Sequence, residues 1–249
     1  MKPIRIRGKP AKYPLICAPL VGASPDALLA EAAAALAAQA DIVEWRVDYF
    51  RDIASLQAVL EAGRAVRRAL PGVPLLFTRR SVAEGGQPAA IGEGKIVELY
   101  EAVCAEGIAD LVDFEMSAGR AGMAAVRDAS RRHGVGLVCS FHDFERTPPA
   151  AELAVQFRRA EQLGGDVAKV SVMARGPEDA LTLLAATLQA SRELASALIG
   201  VSMGPHGALS RIAGFAFGSA LTFGVAAAGS APGQMPIGEL RAAIELLRR

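Results

Sequence analysis

Short apolar runs of β type alternate along the chain with longer runs whose apolar positions recur at helical spacing. That is the pattern of repeated βαβ units around a parallel sheet. Strands are predicted at 15–21, 41–48, 74–80, 110–116, 136–142, 167–174, 197–203 and 221–226. Helices are predicted at 25–39, 53–69, 92–106, 120–133, 150–163, 177–195, 208–217 and 237–248. Ser24 offers a capping hydroxyl to the first helix and Pro25 occupies its first helical position. Pro177 opens the sixth, where Glu178 and Asp179 complement the helix dipole. Eight strands, each followed by a helix with no linker-like segment between, predict one (β/α)8 TIM barrel domain over 1–249. An open doubly wound sheet is the alternative. Its dinucleotide-binding form carries a glycine-rich turn after an early strand, whereas the first such turn here is Val21-Gly22-Ala23-Ser24. Residues 1–14 are expected to form a short hairpin over the barrel bottom.

Alternation assigns the faces of the strands. In 41–48, Glu44, Arg46 and Asp48 share one face, while Val43, Trp45 and Val47 share the other and pack against helices. Three charges on one face of a core strand imply either a wet, ligand-accepting barrel mouth or an ion-pair network that plugs it. Lys169 lies inside the apolar run Val167-Ala168-Lys169-Val170-Ser171-Val172-Met173. An ammonium there needs a carboxylate partner, or it loses its proton and becomes a nucleophile towards carbonyl carbon. A strand lysine reaching solvent from an edge is the third option.

In a barrel the active site forms at the C-terminal strand ends. Besides the charges of the second strand, those ends carry Arg79, Arg80 and then Glu84, Asp113 and Glu115, and His142 and Asp143. Arg211 follows the seventh strand, and Ser230-Ala231-Pro232-Gly233-Gln234 the eighth. His142, one strand before Lys169, is an imidazole suited to acid and base work near neutral pH, whereas His133 and His206 have ordinary surface settings. Arg46, Arg80 and Arg211 come from three segments and would match a small carboxylate if they converge, solvated arginines being the ordinary alternative. The loop 229–236, GSAPGQMP, reads as a flap over a closed site or as a plain connection.

Composition narrows the classes. With 249 residues, 52% hydrophobic and 21% charged, the chain can bury a sizeable core. A net charge of +1 leaves no electrostatic footprint for nucleic acid. No stretch approaches the roughly 18 uninterrupted apolar residues of a membrane span, and the N-terminus lacks a signal peptide's apolar core, so a cytoplasmic location is expected. Cys17, Cys104 and Cys139 are far apart in apolar surroundings and are read as structural thiols, neither disulfides nor zinc ligands.

EWRVD at 44–48, LLFTRRSVAEGG at 75–86, SFHDF at 140–144, AKVSVM at 168–173, LSRIAG at 209–214 and SAPGQ at 230–234 together resemble type I 3-dehydroquinate dehydratase, in order and spacing. The resemblance spans all but the N-terminal dozen residues. It implies a homodimeric barrel that dehydrates 3-dehydroquinate to 3-dehydroshikimate in the shikimate pathway, without metal or cofactor. Lys169 would form a Schiff base with the ketone, His142 would move the protons and Glu84 would orient His142. Arg211 would hold the substrate carboxylate, and Glu44, Arg46, Arg80, Ser230 and Gln234 would bind the rest of the ring. Glu84 would reach His142 only if its loop folds over the mouth. Pro19 stands where some members have a serine that touches substrate, and Pro205 and His206 lie where members vary. A class I aldolase-like barrel and a carboxylate-binding barrel without catalysis are the rival readings.

Overall fold

The computed structural model describes residues 2–11, 14–89 and 91–248; parts of the expected N-terminal hairpin, at Met1, Lys12 and Tyr13, lie outside them. Eight parallel strands form the barrel: β1 Leu15–Leu20, β2 Ile42–Arg46, β3 Leu75–Thr78, β4 Leu111–Glu115, β5 Gly136–Asp143, β6 Val167–Met173, β7 Ala197–Met203 and β8 Leu221–Val225. Each pairs with its sequence neighbour from β1 to β7, and β8 pairs with β1. The ring closes between β7 and β8, where Ala220 N donates to Leu198 O at 2.7 Å. A short strand, Met235–Pro236, adds in parallel to the end of β8.

Helices surround the ring: α1 Pro25–Ala37, α2 Leu56–Ala69, α3 Glu93–Ala105, α4 Arg120–Arg132, α5 Ala150–Gln162, α6 Pro177–Glu193, α7 Ala208–Ala213 and α8 Ile237–Leu247. As expected, the Ser24 hydroxyl caps α1 by accepting from Ala27 N, ahead of Pro25. Most elements fall a residue or more inside their predicted bounds, and for two of them the local cause is visible. The second strand stops at Arg46 and Val47–Tyr49 turns as a 3-10 segment, because the Arg46 and Asp48 side chains bind each other rather than continuing the ladder. The predicted helix 208–217 is α7 followed by a 3-10 turn, Gly214–Phe217, closed by Gly218 at φ 106.

The strand residues divide between two cores. Outward-facing Val43, Trp45, Phe77, Phe114 and Val170 pack under the helices. Trp45, Phe77, Tyr100 and Phe114 form a run of edge-to-face contacts with centroids 5.1–5.5 Å apart. The run ends in chemistry: the Tyr100 hydroxyl accepts from Arg79 N at 2.8 Å and donates to Asp113 O at 2.6 Å, tying the tops of β3 and β4 together.

Inside the ring the bottom layer is apolar, with Leu15, Ile42, Leu76, Leu111, Val138, Val167 and Leu221 in one cluster. One residue further up each inward face, Glu44, Thr78, Asp113, Ser140 and Lys169 replace them, all buried. The change from hydrocarbon to charge along a single pore-less interior sets where chemistry can occur. At the bottom the hairpin Arg5–Ile6/Lys9–Pro10 turns through Arg7 and Gly8, both at positive φ. Arg7 pairs with Asp110 and drives Ile4, 1% exposed, into the apolar layer. Ile4→Ala should therefore lower the unfolding free energy by roughly 2–5 kcal/mol in urea titration, an effect that a hairpin merely resting on the surface would not produce.

Candidate active site

The upper interior is an ordered set of charges. Asp113, fully buried on β4, accepts from Lys169 Nζ at 2.8 Å, Arg80 Nη2 at 2.8 Å and the Ser140 hydroxyl at 2.6 Å. Burial pushes its carboxyl up, but Arg80 and Lys169 outweigh burial and hold it well below the usual carboxylate range. Lys169 is thus a paired cation, with Glu44 Oε1 3.9 Å away and the Phe223 ring 4.9 Å beneath its ammonium. Glu44 is held in place by the Thr78 hydroxyl at 2.8 Å.

The three arginines expected to converge on an anion fall into two kinds. Arg46 makes a bidentate pair with Asp48, both bonds 2.8 Å, and Arg80 is committed to Asp113, Glu115 and Ser140. Burial alone would lower both guanidinium pKa values; Asp48 for Arg46, and Asp113 with Glu115 for Arg80, reverse that and raise them. Arg211, 2% exposed on α7, has no carboxylate partner among the described residues. Its guanidinium donates to backbone carbonyls only, Pro232 O at 2.8 Å and Phe223 O at 3.5 Å, and burial brings its pKa down to about 10. A buried cation that meets only dipoles is ready for an incoming anion.

Glu84 reaches His142 directly. Ser81 caps the 3-10 turn Val82–Glu84, and Gly85 follows at φ 83. A Cβ on Gly85 would lie 2.3 Å from the Phe144 ring and one on Gly86 2.0 Å from Arg80 O, so only glycines let this turn lie against β3 and β5. The turn places Glu84 Oε2 2.9 Å from His142 Nδ1, and the same oxygen accepts from His142 N at 3.1 Å. Ser117, in the 3-10 turn after β4, donates its hydroxyl to Glu84 Oε1 at 2.6 Å.

Burial and the neighbouring Glu115 push the Glu84 carboxyl up to about 7, against the pull of Arg80 and Ser117. Burial, with Arg80 and Lys169, pushes the imidazole of His142 well below its ordinary value. Ionised Glu84 accepts a hydrogen bond from Nδ1–H of a neutral ring, which leaves the Nε2 lone pair free as a base.

One cavity is lined by all nine residues predicted for the site, Glu44, Arg46, Arg80, Glu84, His142, Lys169, Arg211, Ser230 and Gln234. Ser230 and Gln234 hold the 229–236 loop together, Ser230 N donating to Gln234 Oε1 at 2.8 Å, and Pro232 O accepts from Gly204 N at 3.3 Å as well as from Arg211. Pro19 and the exposed His206 do not line it. Asp113, Glu115 and Ser117 carry structural roles that strand-end position alone did not assign. For Asp113 and Glu115 the signal was present in their shared inward parity on β4. Nothing in the sequence singles out Ser117.

Known proteins resemble this chain over nearly its whole length. A profile of the type I 3-dehydroquinase family matches residues 16–249. The chain belongs to that family. The family places it among the hydro-lyases. The chain is 49% identical to the 3-dehydroquinate dehydratase of Albidiferax ferrireducens, over 100% of this chain and 95% of that one. The crystal structure of 3-dehydroquinate dehydratase from Geobacillus kaustophilus superposes with a TM-score of 0.96 at 43% identity, covering 99% of this chain and 96% of that one. The type I enzyme from Clostridium difficile, solved with covalent modified comenic acid, gives 0.93 at 35% identity, covering 99% and 98%.

The state of Glu84 is directly measurable. A carbon-13 titration of the Glu84 carboxyl should show a midpoint near 7, protonated below it and ionised above. Ser117→Ala removes a donor to the ionised form and should move that midpoint to higher pH; an unchanged midpoint would mean that the hydroxyl does not stabilise the carboxylate.

Proposed function

We propose that this chain dehydrates 3-dehydroquinate to 3-dehydroshikimate, the shikimate-pathway step, through a Schiff base on Lys169. The observation that carries the reading is the sharing of one cavity by a lysine, an imidazole aligned by a carboxylate and a buried arginine without a carboxylate partner.

The substrate's carboxylate is drawn to Arg211, whose charge no protein carboxylate offsets. Binding there displaces the Pro232 carbonyl and couples substrate entry to the 229–236 loop. Ser230 and Gln234 on that loop, with Glu44 and Arg46 below, present donors and acceptors to the ring hydroxyls. Arg80 faces the same cavity, but its donors are engaged, so it acts as a fixed positive wall.

Lys169 gives a proton to His142 and its amine adds to the ketone carbon. The carbinolamine hydroxyl takes the proton back from His142 and leaves as water, giving a protonated imine and a neutral imidazole. That iminium carries the charge the ammonium carried, so Asp113 at 2.8 Å from Nζ compensates both without rearrangement. The imine withdraws electrons from the adjacent carbon, and His142 Nε2 removes its proton while Glu84 accepts the charge that develops on the ring through Nδ1. The enamine then expels the β-hydroxyl, which leaves as water with the proton His142 carries. Hydrolysis of the conjugated imine frees the product and restores the amine. The cytoplasm and a homodimer are the setting we propose with this activity.

Borohydride added during turnover should reduce the imine and leave a stable adduct that peptide mapping places on Lys169. Lys169→Ala should lose nearly all turnover; substantial dehydratase activity in that variant would overturn the mechanism. Arg211→Ala should raise KM far more than it lowers the rate of the trapped-imine step, since its role is to anchor the carboxylate; equal losses in both would remove Arg211 from that role.

A further inference from the structure

Outside the barrel, against the turn that carries Ser117, lies a second pocket of about 250 Å³. Ile96 and Val97 of α3 and Phe114 of β4 form its apolar wall, and Gly122 of α4 leaves room on the other side. Arg79 also lines it. The Arg79 backbone is fixed by the Tyr100 hydroxyl, but its side chain makes no ion pair among the described residues, and its buried Nε has no hydrogen-bond partner. The one acid in the lining, Glu115, is already consumed by Arg80 and Ser81 N. Ser117 is shared: it lines this pocket and donates to Glu84 of the site described above.

We propose that this pocket binds a small carboxylate with a compact apolar body, its carboxylate on Arg79 and its body against Ile96, Val97 and Phe114. The volume lies just below the roughly 300–1,000 Å³ of drug-sized sites, so the ligand is of fragment size, an aryl or short branched alkyl acid. A guanidinium with an unused buried N–H gains a charge-assisted bond from such a ligand and from nothing else in the pocket. Occupancy also reaches the active site. Glu84 faces Arg80, Glu115, Asp113, His142 and Ser117; a further anion on the Ser117 side favours its protonated form and deprives His142 of the carboxylate that orients it. The ligand is thus a non-competitive inhibitor, a consequence that rests on the function proposed above, whereas the binding does not.

Benzoate is the probe, titrated calorimetrically. Because Arg211 also invites carboxylates, the titration is done on Arg211→Ala, which removes that competing site. One equivalent should bind there. Arg79→Met should weaken it at least tenfold. Gly122→Leu should abolish it, since a Cβ at Gly122 meets Phe114 and Val97 at 3.6 and 3.7 Å, ordinary contact, and the longer side chain fills the space. Absence of benzoate binding to Arg211→Ala overturns the proposal, and so does binding that neither substitution changes. Because Arg79→Met leaves the backbone bond to Tyr100 intact, it decides the matter even if Gly122→Leu does not fold. In the chain with Arg211 retained, non-competitive benzoate inhibition that persists in Gly122→Leu would sink the coupling to Glu84 while leaving the binding result standing.

Discussion

Two cations share one carboxylate at the centre of the barrel. Asp113 takes Lys169 on one oxygen and Arg80 on the other, with Ser140 completing its shell. Removed from water, any of the three charges alone would be strongly unfavourable; together they are tolerable, though a buried cluster of this kind gains little net stability over a hydrocarbon filling. Its value is positional. It holds an amine at a defined point deep in a cavity, and it keeps a negative charge where the proposed cationic intermediate would form. Arg80, fixed by the same carboxylate, in turn sets the potential felt by Glu84 and His142, so the acid–base pair inherits its tuning from Asp113.

The barrel makes this arrangement possible by keeping its two ends chemically distinct. Hydrocarbon from all eight strands and from Ile4 fills the bottom, supplying burial that the charged layer above does not. The polar layer is then free to be imperfectly compensated. Of its four cations, three are neutralised by carboxylates and one, Arg211, is not. Under the proposed function a carboxylate ligand would complete the set, and the site would recognise its ligand by the charge it lacks.

Much of this was legible before the fold was known, because it depends on parity along single strands. Glu44 and Arg46 inward, Trp45 outward, and Lys169 among valines all follow from alternation, and so does the presence of a charged barrel mouth. Which carboxylate answers Lys169 does not. It depends on the stagger between strands: Asp113 pairs in register with Val138, while Ser140 pairs with Lys169, and only their inward tilt brings the three together. The choice between a plugging ion-pair network and a ligand-accepting mouth also proved not to be exclusive, since the network forms the floor of the cavity. For Glu84, sequence position suggested a loop that must swing; the two glycines after it show why it need not, as they allow the turn to lie flat against Phe144 and Arg80.

The position of Arg211 follows from the same logic and gives the 229–236 loop its meaning. A guanidinium buried with only carbonyl partners pays desolvation without ion-pair compensation, which is why burial brings its pKa down. The Pro232 carbonyl is the strongest contact it has, and that carbonyl belongs to the loop. Under the proposed function, a carboxylate arriving at Arg211 would offer a charge where the loop offers a dipole, and would free Pro232 and leave Ser230 and Gln234 to be re-aimed at the ligand. On that reading, recognition of the anion and rearrangement of the loop would be one event, driven by the difference between a charged and a neutral acceptor at a single buried arginine.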